Sequence, residues 1–459
     1  MNYASKLRSL TESGKPVRVA LVGAGKFGTM ILAQMNLMQG VQLAVLADLD
    51  SERARGAAVR AGWEAGRFLP AQNASAANDV ARAGKTALVP SGEIAAACDV
   101  DIVIEATGFV EAGALHALRA IEAGHHVIMV TVEADVVVGP ILQRKAQQAC
   151  VVYSMAYGDQ PALICQLIDW ARTSGFRVVA AGKGTKFRSK YRRSTPDTWH
   201  THYGFTLEEV ARAGINGRMF NSFLDGTKSA IEAAAVANAS GLEISDNGLT
   251  FAPVPVEKLA STMIPKSAGG LLEREGMIDI VSSVNEDDTE VANHLRWGVY
   301  VTYTSDSAYS RQCWPEYGVA TDPSGTYGAL WRPYHFIGLE IGQSIASIRF
   351  DGEPTGAPTY GPLAEVVCAT RAAMKAGESI DGEGGYAVYG TVVSGDRARR
   401  ERLVPMGLAY GLRLRRDVAA DHPIGEADVT CDESSFVWKL RREQERTFSG
   451  GSLEQATAG

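Results

Sequence analysis

No stretch of this 459-residue chain approaches the ~18 uninterrupted apolar residues that a membrane-spanning helix needs, so no membrane partner is expected. The opening residues, MNYASKLRSLTESGKPVRVA, also lack the apolar middle region of a secretory signal. Cysteine is sparse. Cys98, Cys150, Cys165, Cys313, Cys368 and Cys431 lie far apart with no C-x-x-C pair. That spacing argues against a disulfide scaffold and against a zinc-thiolate site, and it reads as the reduced thiols of a cytoplasmic protein. A basic excess is missing as well: 45 Lys+Arg against 52 Asp+Glu leave a net charge of −7. Duplex nucleic acid or an anionic lipid surface would select the opposite sign, so neither is an expected partner.

What is present is an ordinary globular mixture, 46% hydrophobic and 21% charged, which excludes wholesale disorder. The length exceeds the roughly 250–300 residues at which single cores stop growing, so two or three domains are expected. After a short amphipathic helix within 1–16, the apolar runs VRVALV, QLAVLAD, DIVIEAT, HVIMVTV and VVYSM alternate with stretches 26–39, 51–62, 111–124 and 136–149, each long enough for a crossover helix. Runs without polar alternation are what parallel strands covered on both faces look like. The pattern predicts an α/β chain that opens with a Rossmann-type, doubly wound parallel sheet over 1–160. A helix over 161–173 follows. From about 176 short strands (176–182, 277–284, 296–303, 345–350) mix with an Ala-rich helix near 221–239, predicting an α+β substrate domain over 161–362. The turn-rich DGEPTGAPTYGP marks its end. Residues 363–432 then read as a small β-rich domain, and 433–459 as a tail that is polar and mobile from 447.

The first strand runs into GAGKFG, residues 23–28, with Lys26 and Phe27 between its second and third glycines. Gly23 permits a tight turn, Gly25 lets backbone approach a pyrophosphate, and Gly28 lets the helix pack closely, with helix-start amides facing the anion. Asp48 follows twenty residues after Gly28, at the end of the second run. There a carboxylate accepts from a ribose hydroxyl and favours NAD, unless Arg53 or Arg55 swings in to meet a 2′-phosphate. Thr107 and Gly108 end another run, where they would border the nicotinamide ribose. Asp159 and Gln160 are placed to face the nicotinamide, or Asp159 simply caps a helix.

Along the Ala-rich helix, Asn221, Asp225, Lys228 and Glu232 are spaced to fall on one narrow sector. A lysine between two carboxylates can orient a substrate oxygen or pass a proton, and Asp225 with Glu232 can instead hold a hard cation. An ordinary solvent-facing, salt-bridged stripe has the same pattern. In GKGTKFRSKYRRS, Lys183 and Lys186 follow a strand directly and suit a phosphate or carboxylate, while Arg188 onward reads as a solvated loop. In WRPYHFIGLE, Pro333 can start a helix, and Arg332 and His335 are placed to reach a cleft, although a single His is more often a packing residue. His200 and His202 have no third ligand and read as loop residues.

Over nearly its whole length the chain resembles the 1-deoxy-D-xylulose 5-phosphate reductoisomerase-like oxidoreductases, also described as homoserine dehydrogenase-like, with a C-terminal SAF (β-clip) domain. The segments that carry the resemblance are VGAGKFGTM, HVIMVTVEADVVVGP, SMAYGDQPALICQLIDWAR, AAGKGTK, NSFLDGTKSAIE, WGVYVT, TDPSGTYGALWRPYHFIGLE and GEPTGAPT, with KAGESI and PMGLAYGLRLRRDVAADHPI in the SAF-like part. The resemblance implies NADP(H) ahead of NAD(H) and a homo-oligomer. At least one branch converts 1-deoxy-D-xylulose 5-phosphate to 2-C-methyl-D-erythritol 4-phosphate in isoprenoid biosynthesis with a divalent metal, Mg or Mn. Homoserine dehydrogenases carry an Asn-Lys pair where this chain has Thr131-Val132-Glu133, so homoserine oxidation is not expected. The LDGTK segment resembles their Asp and Lys region, which implies acid–base roles for Asp225 and Lys228.

Three functions follow as expectations. The first is hydride transfer to a small hydroxy-ketone or aldehyde, with carbon-skeleton rearrangement in the reductoisomerase version. The second is an NAD(P)-dependent catabolic dehydrogenase or oxidoisomerase of a sugar acid or polyol. The third is a non-catalytic dinucleotide or carbohydrate sensor, against which the buried lysine of the stripe argues.

Overall fold

β1 (Val17–Val22) and β2 (Val41–Ala47) are buried over most of their length, which is why their sequences carry no polar alternation. They belong to a computed structural model that describes residues 2–213 and 215–449. The described chain falls into two units, one built from 2–163, 336–359 and 439–449, the other from 164–335 and 360–438.

The first unit holds a seven-stranded sheet with β3 (Phe68–Pro70), β4 (Thr86–Val89), β5 (Ile102–Glu105), β6 (His126–Met129) and β7 (Tyr153–Met155). The order is β3-β4-β2-β1-β5-β6-β7, and every pairing is parallel, the Rossmann-type arrangement expected. β3 and β4, at three and four residues, are too short to show a period and have no counterpart in the sequence reading. The helix Lys26–Met35 buries Gly28, Ile31, Leu32 and Met35 at helical spacing. Ile31 and Leu32 pack with Leu21, Leu46 and Ile104 of the strands and with Ile341 and Ile345 of the returning segment.

That returning segment corrects one expectation. Residues 345–350 are not a strand but part of the helix Gly342–Asp351. Ile345 and Ile348 lie three apart, and a six-residue apolar run does not distinguish the two states by period alone. Pro333 likewise starts no helix, because β13 (Tyr327–Arg332) ends just before it and the chain continues as a loop.

The helix Val132–Gln148 starts earlier than expected and contains Pro140, whose missing N–H breaks the regular bonding. The helix Phe436–Phe448, from Lys439 onward part of this unit, repairs the break. Gln444 Oε1 accepts from the Ile141 N–H at 3.1 Å, and Gln444 Nε2 donates to the Val137 carbonyl at 3.0 Å. An unbroken helix would pair those two backbone groups with each other. The mobile tail expected from 447 lies, from 450 on, outside the described residues.

The second unit centres on a mixed sheet of β8 (Arg177–Thr185), β9 (Ala252–Pro253), β10 (Met277–Ser282), β11 (Val299–Thr304), β12 (Ala320–Thr321) and β13, in the order β12-β13-β11-β8-β10-β9. β8 runs parallel to β10 and antiparallel to β11. The Ala-rich stretch expected as one helix is two, Gly217–Asp225 and Thr227–Ser240. Gly226 separates them at φ +91°, a left-handed conformation that side chains rarely adopt. Twelve residues of Thr227–Ser240 are buried. The antiparallel ribbon of β14 (Ala364–Thr370) and β15 (Val388–Ser394) is tied to this helix. Asn238 Oδ1 accepts from the Ala364 N–H at 2.9 Å, and Thr227 Oγ1 accepts from the Gly390 N–H at 2.7 Å. Beyond the ribbon, single bridges such as Val367–Pro405, Ala369–Pro423 and Leu414–Val429 hold a turn-rich segment. No helix among the described residues is long and apolar enough to cross a membrane. All six cysteines are free thiols.

Candidate functional site

In the first unit the glycine turn is dictated by sterics. Gly23 adopts φ +98°, and a Cβ there would sit 2.7 Å from the Ala106 carbonyl oxygen. A Cβ on Gly28 would lie 2.0 Å from the Gly23 oxygen. Gly25, at the N-cap of Lys26–Met35, has open space in the corresponding direction. The turn therefore leaves a cradle at the start of a ten-residue helix, where amides and dipole favour an anion. Lys26 is exposed and Phe27 half-buried in the first turn.

Asp48 is buried at the end of β2, and its oxygens are fully occupied. Oδ2 accepts from the Ala24 N–H at 2.9 Å, Oδ1 accepts from the Asp50 N–H at 3.0 Å, and Arg53 donates to both at 2.7 and 3.0 Å. Burial pushes the carboxyl up, but the two amides and the guanidinium outweigh it and hold the group below the usual carboxylate range. The Arg53 side chain is 58% exposed, so this corner presents a cation in front of a neutralised carboxylate. Arg55 instead lies 3.7 Å from Glu52.

Thr107 and Gly108 are positioned by a residue that the sequence reading did not single out. Glu105, fully buried at the end of β5, accepts from the hydroxyls of Thr107 and Thr131 and from the Thr107 N–H at 3.2 Å. Thr131 Oγ1 in turn accepts from the Gly108 N–H at 3.0 Å, and His116 Nδ1 lies 3.5 Å from Glu105. An acidic residue ending an apolar run was the available signal. Asp159 and Gln160 are both buried at the start of Gln160–Thr173, and Asp159 Oδ1 accepts from the adjacent Gln160 N–H at 2.9 Å.

The second unit gathers some of the polar stripe and disperses the rest. Lys183, on β8 between Gly182 and Gly184, forms a buried ion pair with Glu232 of Thr227–Ser240. The flanking glycines are required: a Cβ on Gly182 would meet the Asp279 oxygen at 1.8 Å, and one on Gly184 the Leu295 oxygen at 1.9 Å. Lys228 lies four residues before Glu232 on the same helix face and is half-buried.

Asp225 is instead paired with Arg371, just past β14, and accepts from the Thr227 N–H at 2.8 Å. Burial pushes its carboxyl up against the opposing pull of Arg371. Arg371 also donates to the carbonyls of Arg192 and Gly385, at 2.6 and 3.1 Å. Asn221 is wholly buried; its Oδ1 accepts from Ser194 Oγ at 2.6 Å and its Nδ2 donates to the Gly384 carbonyl at 3.0 Å. The break at Gly226 is why the four positions do not form one row. Asp225 and Glu232 each answer a cation, and among the described residues no group of three or more His, Cys, Asp or Glu side chains gathers as a ligand set. These donors do not fit a resident metal.

Lys186 Nζ donates to the His202 carbonyl and stands 5.4 Å from the Tyr203 ring centroid. Arg332 lies 4.8 Å from the Tyr334 ring, and His335 Nδ1 is 2.7 Å from the Trp297 carbonyl oxygen. His200 and His202, expected in a loop, lie instead in the short helix Trp199–Tyr203, where His200 Nδ1 is 2.9 Å from the Phe205 carbonyl oxygen.

Residues 158–341, less than half of the chain, match the family described as oxidoreductase DRL, catalytic domain. The chain thus carries an oxidoreductase catalytic domain. No curated protein matches. Among solved structures, GenD2 from gentamicin A biosynthesis in complex with NAD is 13% identical, over 75% of this chain and 89% of that one, at a TM-score of 0.35. DOX-P reductoisomerase in complex with magnesium is 17% identical, over 48% and 57%, at 0.31. The myo-inositol dehydrogenase of Lactobacillus casei, in complex with NAD(H) and myo-inositol, is 16% identical, over 41% and 52%, at 0.27. The chain spans little more than half the length of the last two. Likenesses this distant carry no argument about its substrate.

Proposed function

We propose that the chain is an NADP(H)-dependent oxidoreductase that moves hydride to or from the carbonyl carbon of a small hydroxy-ketone or aldehyde. The observation that carries this reading is the buried Lys183–Glu232 pair, one helical turn from half-buried Lys228, inside the segment that matches an oxidoreductase catalytic domain.

The glycine cradle fits a dinucleotide. The turn at Gly23, Gly25 and Gly28 would hold the pyrophosphate, with Thr107 and Gly108 beside the nicotinamide ribose. Arg53 would meet the 2′-phosphate, since Asp48 is already neutralised by it and turned onto the Ala24 and Asp50 amides. That arrangement favours NADP(H) over the ribose-hydroxyl reading. When bound, the nicotinamide supplies or accepts the hydride.

Lys228 donates a hydrogen bond to the substrate oxygen on which negative charge develops and passes it a proton. Glu232, fixed by Lys183 and one helical turn beyond Lys228 on the same helix, would orient the Lys228 ammonium; Lys183 and Glu232 are positioning residues. Both are buried, so their attraction is less screened than in water and the geometry persists between turnovers. No step is derived through a metal, because the two carboxylates of the stripe already have cationic partners.

The test is oxidation of NADPH or NADH, or the reverse, with a panel of hydroxy-ketones, polyols and sugar acids, including 1-deoxy-D-xylulose 5-phosphate with manganese. Lys228→Met is expected to lower turnover about 100-fold or more while cofactor binding stays within about twofold. Absence of nicotinamide turnover across the panel, or full turnover by the variant, overturns the reading.

A further inference from the structure

Lys183 and Arg371, the buried cations of the second unit, each meet a carboxylate, but two half-buried cations there do not. β8 ends at Thr185, and Lys186 leaves the sheet half-buried, its Nζ donating to the His202 carbonyl. Arg296, half-buried in the loop before β11, approaches the same aromatic ring: its guanidinium carbon lies 5.2 Å from the Tyr203 centroid, against 5.4 Å for Lys186 Nζ. Arg296 is also 4.7 Å from the centroid of Trp297, which is 55% exposed.

Among the described residues, no carboxylate comes within ion-pair distance of Lys186 or Arg296. Their neighbours differ. Arg188 pairs with Glu286 and Asp288, at 3.2 and 2.9 Å, and Lys190 pairs with Asp288. Glu290 lies 2.8 Å from His294 Nε2. Local carboxylates are therefore present but committed elsewhere. Burial, and then the Arg296 charge, hold the Lys186 ammonium below its ordinary value. Burial pushes the Tyr203 phenol up to about 12, so it keeps its proton and remains a donor at neutral pH. Ring faces attract cations, but they do not cancel the repulsion between two of them. An anion placed between them would.

We infer that Lys186, Arg296 and the Tyr203 hydroxyl form a subsite for the anionic end of the substrate, a phosphate monoester or a carboxylate. This rests on the oxidoreductase reading for the word substrate, but the binding itself does not need turnover. Lys183, held by Glu232, takes no part in it.

Trp297 supplies the readout. The full-length protein is titrated with inorganic phosphate and, separately, with acetate, at ionic strength held constant with chloride, and tryptophan fluorescence is followed. Wild type is expected to show a saturable change that shifts to about tenfold higher concentration or more in Arg296→Gln and in Lys186→Gln, with far-UV circular dichroism and cofactor binding unchanged. Lys186→Arg should restore most of the affinity, which a packing role would not predict. Saturation by phosphate alone assigns a phosphate ester, and saturation by acetate as well assigns a carboxylate. No saturable response in wild type, or an equal response in the variants, overturns the subsite. If the nicotinamide screen fails while anion binding holds, the subsite stands and the oxidoreductase reading falls.

Discussion

Asp135 shows what burial does to one residue. It lies inside the helix Val132–Gln148, and its Oδ1 accepts from the Tyr153 hydroxyl at 2.8 Å, while its buried Oδ2 has no hydrogen-bond partner. Burial pushes the carboxyl up to about 7, with the Tyr153 bond opposing. An unfolded aspartate titrates near ~3.9. Between those values the folded chain holds a proton that the unfolded chain has released, so this group stabilises at low pH and loses that contribution as pH rises through about 7. The full loss is on the order of 4 kcal/mol. Urea midpoints of wild type should therefore fall from pH 5 to pH 8 more steeply than those of Asp135→Asn. Parallel profiles would show that the carboxyl is ionised throughout. Nothing in the pattern around residue 135 flags this, because an acid in the first turn of a helix is ordinarily a solvated, favourable choice.

At the scale of elements, β1, β2, β5, β6 and β7 are legible because each lies within an apolar run that alternates with a stretch long enough for a crossover helix. Three failures have separate physical causes. The segment 345–350 was too short for its period to register, and the three-residue β3 shorter still. The Ala-rich stretch looked continuous because a glycine inside a helical pattern is tolerated, and only the backbone reveals that Gly226 is left-handed. Pro140 was visible, but its remedy was not: Gln444 lies 304 residues further along the chain. Gln444→Leu keeps the volume and removes both hydrogen bonds, leaving the Ile141 N–H without its partner while the Val137 carbonyl keeps only the Arg441 guanidinium, at 3.1 Å. A loss of about 1–3 kcal/mol is expected, measured by thermal or urea unfolding. An unchanged midpoint would mean that the kinked helix satisfies itself.

At the scale of the molecule, neither unit is a continuous stretch of sequence, since the first takes up three segments and the second two. In the second, Arg371 reaches Asp225 across 146 residues of chain, both buried. Arg371→Met leaves that carboxylate buried without its cation, and a destabilisation of about 3–5 kcal/mol is expected. Adding Asp225→Asn should recover much of it, because the double variant buries no unpaired charge. A single variant as stable as wild type would show that the pair is not holding the ribbon to the helix. The candidate site has the same character: GKG and LDGTK are conspicuous as strings, yet only the folded chain shows that Glu232 goes to Lys183 while Asp225 goes to Arg371.

The sequence by itself determined the parallel sheet, the glycine turn and the residue types available for chemistry, because these depend on local sterics and on period. Which charge meets which was decided only by tertiary structure. Partner choice depends on side chains brought within a few ångströms from distant parts of the chain, and on the burial that makes an unmet charge costly. Neither is encoded at any fixed spacing.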